Sequence, residues 1–181
     1  TQLLLPHRNG ASGRAVVAYY TAAVDHLVQS VFDAAHQLYG ERALQLDQRC
    51  VLIAQGGYGR AELNPSSDID LLFLCESKRE PYIENIVERV LYTLWDAKLD
   101  VGHALRSIRD CTKMAAKDLQ IKTALLDARF LCGDAQLYQD FRTALDNEII
   151  KRGAPQFLRE RIAASHSRHQ RILGGKRVRA A

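Results

Sequence analysis

No stretch of eighteen consecutive apolar residues occurs in the sequence, so it contains no helical segment able to span a membrane. Leu3-Leu4-Leu5 is followed at once by Pro6 and is too short for the apolar core of a secretory signal. The four cysteines, Cys50, Cys75, Cys111 and Cys132, include no C-x-x-C pair, and no histidine stands near them at zinc-ligand spacing. That excludes a dithiol redox motif and a structural zinc site, and leaves reduced, buried thiols of a cytoplasmic protein as the expectation. Internal repeats and low-complexity segments are missing too, which excludes a solenoid or a compositional linker.

What remains is ordinary soluble-protein chemistry. The 181 residues are 47% hydrophobic and 25% charged, enough for one domain with a real core, or one domain and a small helical appendage. Charge is unevenly spread. Residues 151–181 carry nine Lys/Arg and one Glu, whereas residues 1–150 carry sixteen Lys/Arg and twenty Asp/Glu. The basic tail suits a solvated Arg-rich helix, or a surface meeting phosphates, nucleic acid or an acidic partner.

Apolar residues from Val16 through Tyr20, Val24, Leu27, Val31, Ala35 and Leu38 step by three or four, predicting a helix from about Ser12 that closes at Gly40. Cys50–Ala54 reads as a buried strand. A glycine turn, Gly56-Gly57-Tyr58-Gly59, follows it, then a polar loop with Pro65 and a second strand over Asp68–Leu74. Pro81 suits a first helical turn, and Ile83, Ile86, Val87, Val90, Leu91, Leu94 and Trp95 form that helix's apolar face. A third strand is predicted over Leu99–Arg106. From Ser107 onward only helical periodicity is visible, with Asp118 and Asp134 as N-caps and Gly133 and Gly153 as breaks. The implied architecture is α/β (α+β): a small mixed sheet with flanking helices, then a helical subdomain. The predicted segments are a helical 1–40, a catalytic core over 41–110, and a helical 111–181 ending in the basic tail.

The chemistry concentrates in Gln55–Leu74. Asp68 and Asp70 are two apart, so on a strand their carboxylates project side by side while Ile69 and Leu71 face the other way. Two like charges that close are uncomfortable without a cation between them, and hard oxygen ligands suit Mg²⁺, with Mn²⁺ as a substitute. The glycines at the end of the preceding strand allow backbone N–H groups to approach an anion. Arg60 adds a guanidinium suited to phosphate oxygens, although an Arg60–Glu62 surface pair is the plainer reading. Asp100, opening the third strand, is the candidate third carboxylate, with Asp96 a turn away as its rival. His103 reads equally as a packed or a site residue.

These residues resemble a known signature. Gly56-Gly57-Tyr58-Gly59-Arg60, Glu62-Leu63, Pro65 and Ser67-Asp68-Ile69-Asp70-Leu71-Leu72 are similar to the PII uridylyltransferase/uridylyl-removing enzymes of the polymerase-beta-like nucleotidyltransferase superfamily. Leu94-Trp95-Asp96, Val101-Gly102-His103 with Arg106, and Thr123-Ala124-Leu125-Leu126-Asp127-Ala128-Arg129 extend the likeness over roughly Val51–Gly133. The resemblance implies transfer of UMP from UTP to a tyrosine of the PII signal protein, with release of pyrophosphate. By motif, Asp68, Asp70 and Asp100 would be the catalytic and metal-binding residues, and Gly56, Gly57, Arg60 and Ser67 would bind the nucleotide.

The chain departs from that family in three ways. It has no His-Asp dipeptide and no counterpart of the family's hydrolase and glutamine-sensing domains within its 181 residues, so uridylyl removal and glutamine sensing are expected to be absent. Residues 173–181 do not resemble the family. Ala61 stands where the family usually has glycine, a change expected to be tolerated. Competing readings are an adenylyltransferase acting on glutamine synthetase, with which the G-R-x-E-L and S-D-I-D core is shared, and a non-catalytic nucleotide-binding fragment. A tRNA-tailing enzyme would use the basic tail but lacks its companion motifs; neither a nucleic acid nor a membrane is expected as partner.

Overall fold

The structure, a computed structural model, describes residues 12–38, 49–76 and 81–151. Its elements run α1 (Gly13–Gln37), β1 (Cys50–Ala54), a single helical turn α2 (Gly56–Gly59), β2 (Ile69–Cys75), α3 (Pro81–Asp96), β3 (Val101–Arg106), α4 (Ile108–Ala115), α5 (Leu119–Leu126), β4 (Arg129–Gly133) and α6 (Ala135–Lys151). The strands form one mixed sheet in the order β3-β2-β1-β4. β1 is antiparallel to both β2 and β4, and β2 is parallel to β3 through the α3 crossover.

Alternation along the central strands explains why helices cover both faces. Leu52, Ala54, Leu71 and Phe73 point to one side, where they pack with Val24, Val28 and Phe32 of α1 and Ile83, Ile86 and Leu94 of α3. Val51, Ile53, Leu72 and Leu74 point to the other, against Cys111 of α4, Leu125 of α5 and Phe141 of α6. Strands buried on both faces read as unbroken apolar runs, as these do. Each fully buried Leu, Ile or Phe side chain contributes about 2 kcal/mol of transfer free energy. Among the described residues no helix is long and apolar enough to cross a membrane.

Several sequence expectations hold in detail. The first helix begins at Gly13, one residue after the predicted Ser12, whose side chain accepts from Ala15 N; Asp118 caps α5, and Asp134 accepts from Leu137 N at the start of α6. The two early strands begin within a residue of their predicted positions, and β3 begins two residues later than predicted. The α1 face is shifted from the predicted one. Val28 and Phe32 carry the core, whereas Leu27 and Leu38 are exposed, because the stripe that meets the sheet and α3 runs along Tyr20, Val24, Val28 and Phe32, a line that apolar periodicity alone does not single out. Trp95 is likewise exposed at the end of the α3 face. Gly40 and Gly153, the expected ends of two helices, lie outside the described residues.

The larger correction is β4. Residues after Ser107 are not all helical: Arg129–Gly133 is a fourth strand, paired to β1 with a register shift at Leu52/Ile53. Its five residues alternate poorly and lie between two helices, so nothing in their local pattern separates them from a helical connection.

Candidate active site

Asp68 immediately precedes β2 and Asp70 is the second residue within it. Asp70 shares parity with Leu72 and Leu74, so it continues their face at the end of the strand where the apolar row gives way to solvent. Across from it, α2 turns the chain away from β1. The turn closes through Gly59 N to Gln55 O at 2.8 Å and Arg60 N to Gly56 O at 3.2 Å, and Gln55 N donates to Asp70 O at 3.0 Å. The first N–H groups of such a turn, here those of Gly56 and Gly57, have no acceptor within it. Gly56 sits at φ +59°, a left-handed conformation that an L side chain rarely adopts.

Between the turn and the aspartates lies a cleft of about 460 Å³ whose walls include Gly57, Arg60, Glu62, Ser67, Asp68 and Asp70. The polar loop of Asn64–Ser67 forms its outer edge, with Ser67 N donating to Asn64 O at 3.0 Å. Partial burial, reinforced by the neighbouring Asp68 carboxylate, raises the Asp70 pKa above the ordinary carboxylate value. Two aspartates in one cleft, one of them penalised for its charge, fit a hard divalent cation that keeps waters and shares phosphate oxygens.

The expected third acid is not gathered with them. Ile69 N donates to Asp100 O at 2.8 Å, so the Asp100 main chain lies beside the start of β2. Among the described residues, however, no group of three His, Cys, Asp or Glu side chains converges closely enough to hold a metal. A pair, Asp68 and Asp70, is what the fold places in the cleft. His103 lies on the opposite face of β3 from Gly102, exposed and edge-on to Trp95 at 6.0 Å between ring centroids.

Arg60 is held by two carboxylates. Its Nε donates to Glu62 at 3.0 Å and its Nη1 to Asp127 at 2.8 Å. The plain Arg60–Glu62 pair is therefore present, while the guanidinium still lines the cleft. Asp127 was visible in the sequence only as part of a resembling motif, with no role attached. It lies 67 residues from Arg60, at the C-cap of α5, and no local spacing relates the two.

Arg129 was missed in the same way. It grips Asp25 of α1 through both terminal nitrogens, at 2.8 and 3.0 Å, and donates to Tyr58 O at 3.2 Å. Its guanidinium carbon also stands 5.4 Å from the Tyr58 ring centroid. Burial, with the Asp25 carboxylate nearby, pushes the Tyr58 phenol well above its usual range, and the hydroxyl makes no hydrogen bond of normal geometry. Tyr58 is thus a packed pivot of the turn. Thr21 of α1 secures the next stretch, its hydroxyl accepting from Leu63 N at 3.1 Å.

A cleft between a glycine turn and two aspartates at the start of a strand, on a mixed sheet flanked by helices, is the arrangement of a nucleotidyltransferase domain, and comparison with known proteins supports that class. The glutamate-ammonia ligase adenylyltransferase family matches residues 11–99. The chain is homologous to the bifunctional uridylyltransferase/uridylyl-removing enzymes over nearly its whole length. It is 40% identical over 169 residues to the enzyme of that name from Erythrobacter litoralis, covering 93% of this chain and 18% of the relative. With the enzyme of the same name from Rhodospirillum rubrum it shares 39% identity over 162 residues, 89% of this chain and 17% of the relative. The chain therefore spans less than a fifth of the length of these relatives. A solved toxin–antitoxin structure with AMP-PNP aligns at 18% identity over 65% of this chain and 85% of that one, with a TM-score of 0.37, too distant to inform the argument.

Proposed function

We propose that this domain transfers UMP from UTP to a tyrosine of the PII signal protein. The observation that carries the reading is the Asp68–Asp70 pair facing Gly57, Tyr58 and Arg60 of the glycine turn across one cleft. The extent of likeness to the uridylyltransferases, about 40% identity over nine-tenths of the chain, favours uridylyl over adenylyl transfer.

In this reading the triphosphate lies against the turn, where the N–H groups of Gly56 and Gly57 meet its oxygens and Ser67 supports it from the outer loop. Arg60, fixed by Asp127, adds positive charge along the same wall. Asp68 and Asp70 hold Mg²⁺, or Mn²⁺ in its place. When bound, the ion neutralises phosphate charge and the charge developing on pyrophosphate. The tyrosine oxygen attacks the α-phosphorus in line. The new O–P bond forms as the bond to the β-phosphate's bridging oxygen breaks, and pyrophosphate leaves. A tyrosine hydroxyl, with a pKa near 10, must lose its proton as it attacks. Asp100, which is not gathered with the Asp68–Asp70 pair but whose main chain adjoins the start of β2, is assigned as the carboxylate that receives it rather than as a third metal ligand.

The test is incubation of the chain with Mg²⁺, labelled UTP and purified PII protein, with mass analysis for an added UMP. Asp70→Asn should reduce transfer by about 10²-fold or more while leaving the circular dichroism spectrum unchanged. Wild-type activity in that variant would overturn the site assignment.

A second reading rests on the family match at residues 11–99: adenylyl transfer to glutamine synthetase. Parallel reactions with labelled ATP and glutamine synthetase decide between them. Metal-dependent UTP binding with no transfer to either protein would instead indicate a binding fragment whose acceptor contacts lie elsewhere.

A further inference from the structure

Asp70 has a glycine on each flank. In the parallel register of β2 and β3, Asp70 lies opposite Gly102, and the two strands turn the same face outward at that level. A Cβ built on Gly102 would stand 2.8 Å from Asp70 Oδ1, closer than packed atoms tolerate. On the other side, a Cβ built on Gly56 would stand 3.0 Å from Asp70 Oδ2. The carboxylate therefore lies between two bare backbones, one from the turn after β1 and one from β3, with one oxygen against each.

We infer that Gly102 is a positioning residue for Asp70: its missing side chain lets the carboxylate lie low across β3, and any larger residue would lever it out of the cleft. Gly56 has a backbone reason of its own to be glycine, because its φ is positive. Gly102 has none; it sits inside a regular strand, where glycine is ordinarily a cost. The proximity of the Asp70 oxygen is the feature at that position that demands it. A strand interior is also where a chain would gain from a side chain, so the glycine exchanges local stability for the placement of one functional oxygen.

The packing relation stands on geometry alone, whereas its consequence for metal binding rests on the function proposed above. The experiment separates them. In the first arm, thermal unfolding is followed with chelator present for the wild-type chain, Gly102→Ala, Asp70→Ala and the double variant. Gly102→Ala should raise the midpoint less when Asp70 is present than when residue 70 is alanine, because only in the first case must the carboxylate swing aside to admit the methyl. A Gly102→Ala chain that folds only in the double variant gives the same answer. Equal shifts in both backgrounds, or failure to fold in both, would overturn the inference.

In the second arm, Mn²⁺ alone is titrated into the folded chains. Gly102→Ala should weaken Mn²⁺ binding by about tenfold or more, as loss of a supporting contact does at metal sites. Wild-type affinity in Gly102→Ala, alongside weakened binding in Asp70→Ala, would remove the positioning role. If Asp70→Ala itself binds Mn²⁺ as tightly as wild type, the metal assignment falls, and the first arm still decides whether Gly102 accommodates Asp70.

Discussion

Arg129 and Asp25, 104 residues apart, meet in a two-pronged ion pair that ties the fourth strand to the first helix directly behind the glycine turn. The same guanidinium reaches the Tyr58 carbonyl, so one side chain joins three segments distant in sequence. Both partners are only partly exposed, at 30% and 22% of their side-chain surface, so water screens the pair less than it would a surface pair.

Removing that side chain should loosen the turn. Arg129→Ala is expected to cost about 2 kcal/mol of stability, the range for hydrogen bonds to charged partners that leave one group unpaired. Arg129→Lys should recover less than half, because an ammonium cannot fork onto a carboxylate. Urea unfolding measures both; midpoints matching the wild type would mean the pair contributes nothing.

Ala61 stands at φ +59°, a left-handed conformation that costs an L residue roughly 1–2 kcal/mol. The alanine at this position thus carries backbone strain that glycine would not. Ala61→Gly should relieve the strain, and the larger freedom of glycine in the unfolded chain should leave a net gain of about 0.5 kcal/mol. A lower melting temperature in the variant would show that the loop gains more from the alanine methyl than it loses in backbone strain.

His36 gives a pH signature remote from the cleft. Its Nδ1 lies 2.7 Å from the Tyr82 hydroxyl, its Nε2 is buried without a partner, and Phe32 packs on its ring. Burial lowers its pKa below 6.5, with Asp33 opposing in part. A lowered folded-state pKa means that the neutral ring is favoured on folding. This contribution is complete above about pH 6.5 and is lost as pH falls from there through the folded value. His36→Gln should therefore lose less stability than wild type between pH 7 and pH 5. Parallel curves for the two proteins would exclude His36 as a source.

Of the two carboxylates on Arg60, Asp127 is 14% exposed and Glu62 65%. The buried partner sets the position of the guanidinium, and the exposed one contributes little. Asp127→Asn should raise the KM for nucleotide by about tenfold, the loss of one charge-assisted contact, whereas Glu62→Gln should leave KM within about twofold. Steady-state kinetics with saturating acceptor distinguish them; equal effects would mean that Arg60 is not placed by Asp127.

The legibility of the site followed the range of its interactions. Asp68 and Asp70 are two residues apart and Gly56–Arg60 are contiguous, so strand alternation and turn chemistry expose them locally. The pairing of Arg60 with Asp127 and the grip of Arg129 on Asp25 cross 67 and 104 residues, where periodicity carries no information. β4 escaped for a related reason: a five-residue strand earns its state from pairing with β1, a contact its own residues do not encode.

The sequence by itself determined the apolar runs of β1 and β2, the helical stripe of α3, the caps at Asp118 and Asp134, and the two acids that share a strand face. Each depends on atoms within a few residues of one another. Tertiary structure alone decided which glycine lies under Asp70, which carboxylate fixes Arg60, and that the chain returns after α5 to add a strand beside β1. Those are relations between surfaces brought together by burial of both sheet faces, and a linear order of side chains does not specify them until the chain has packed.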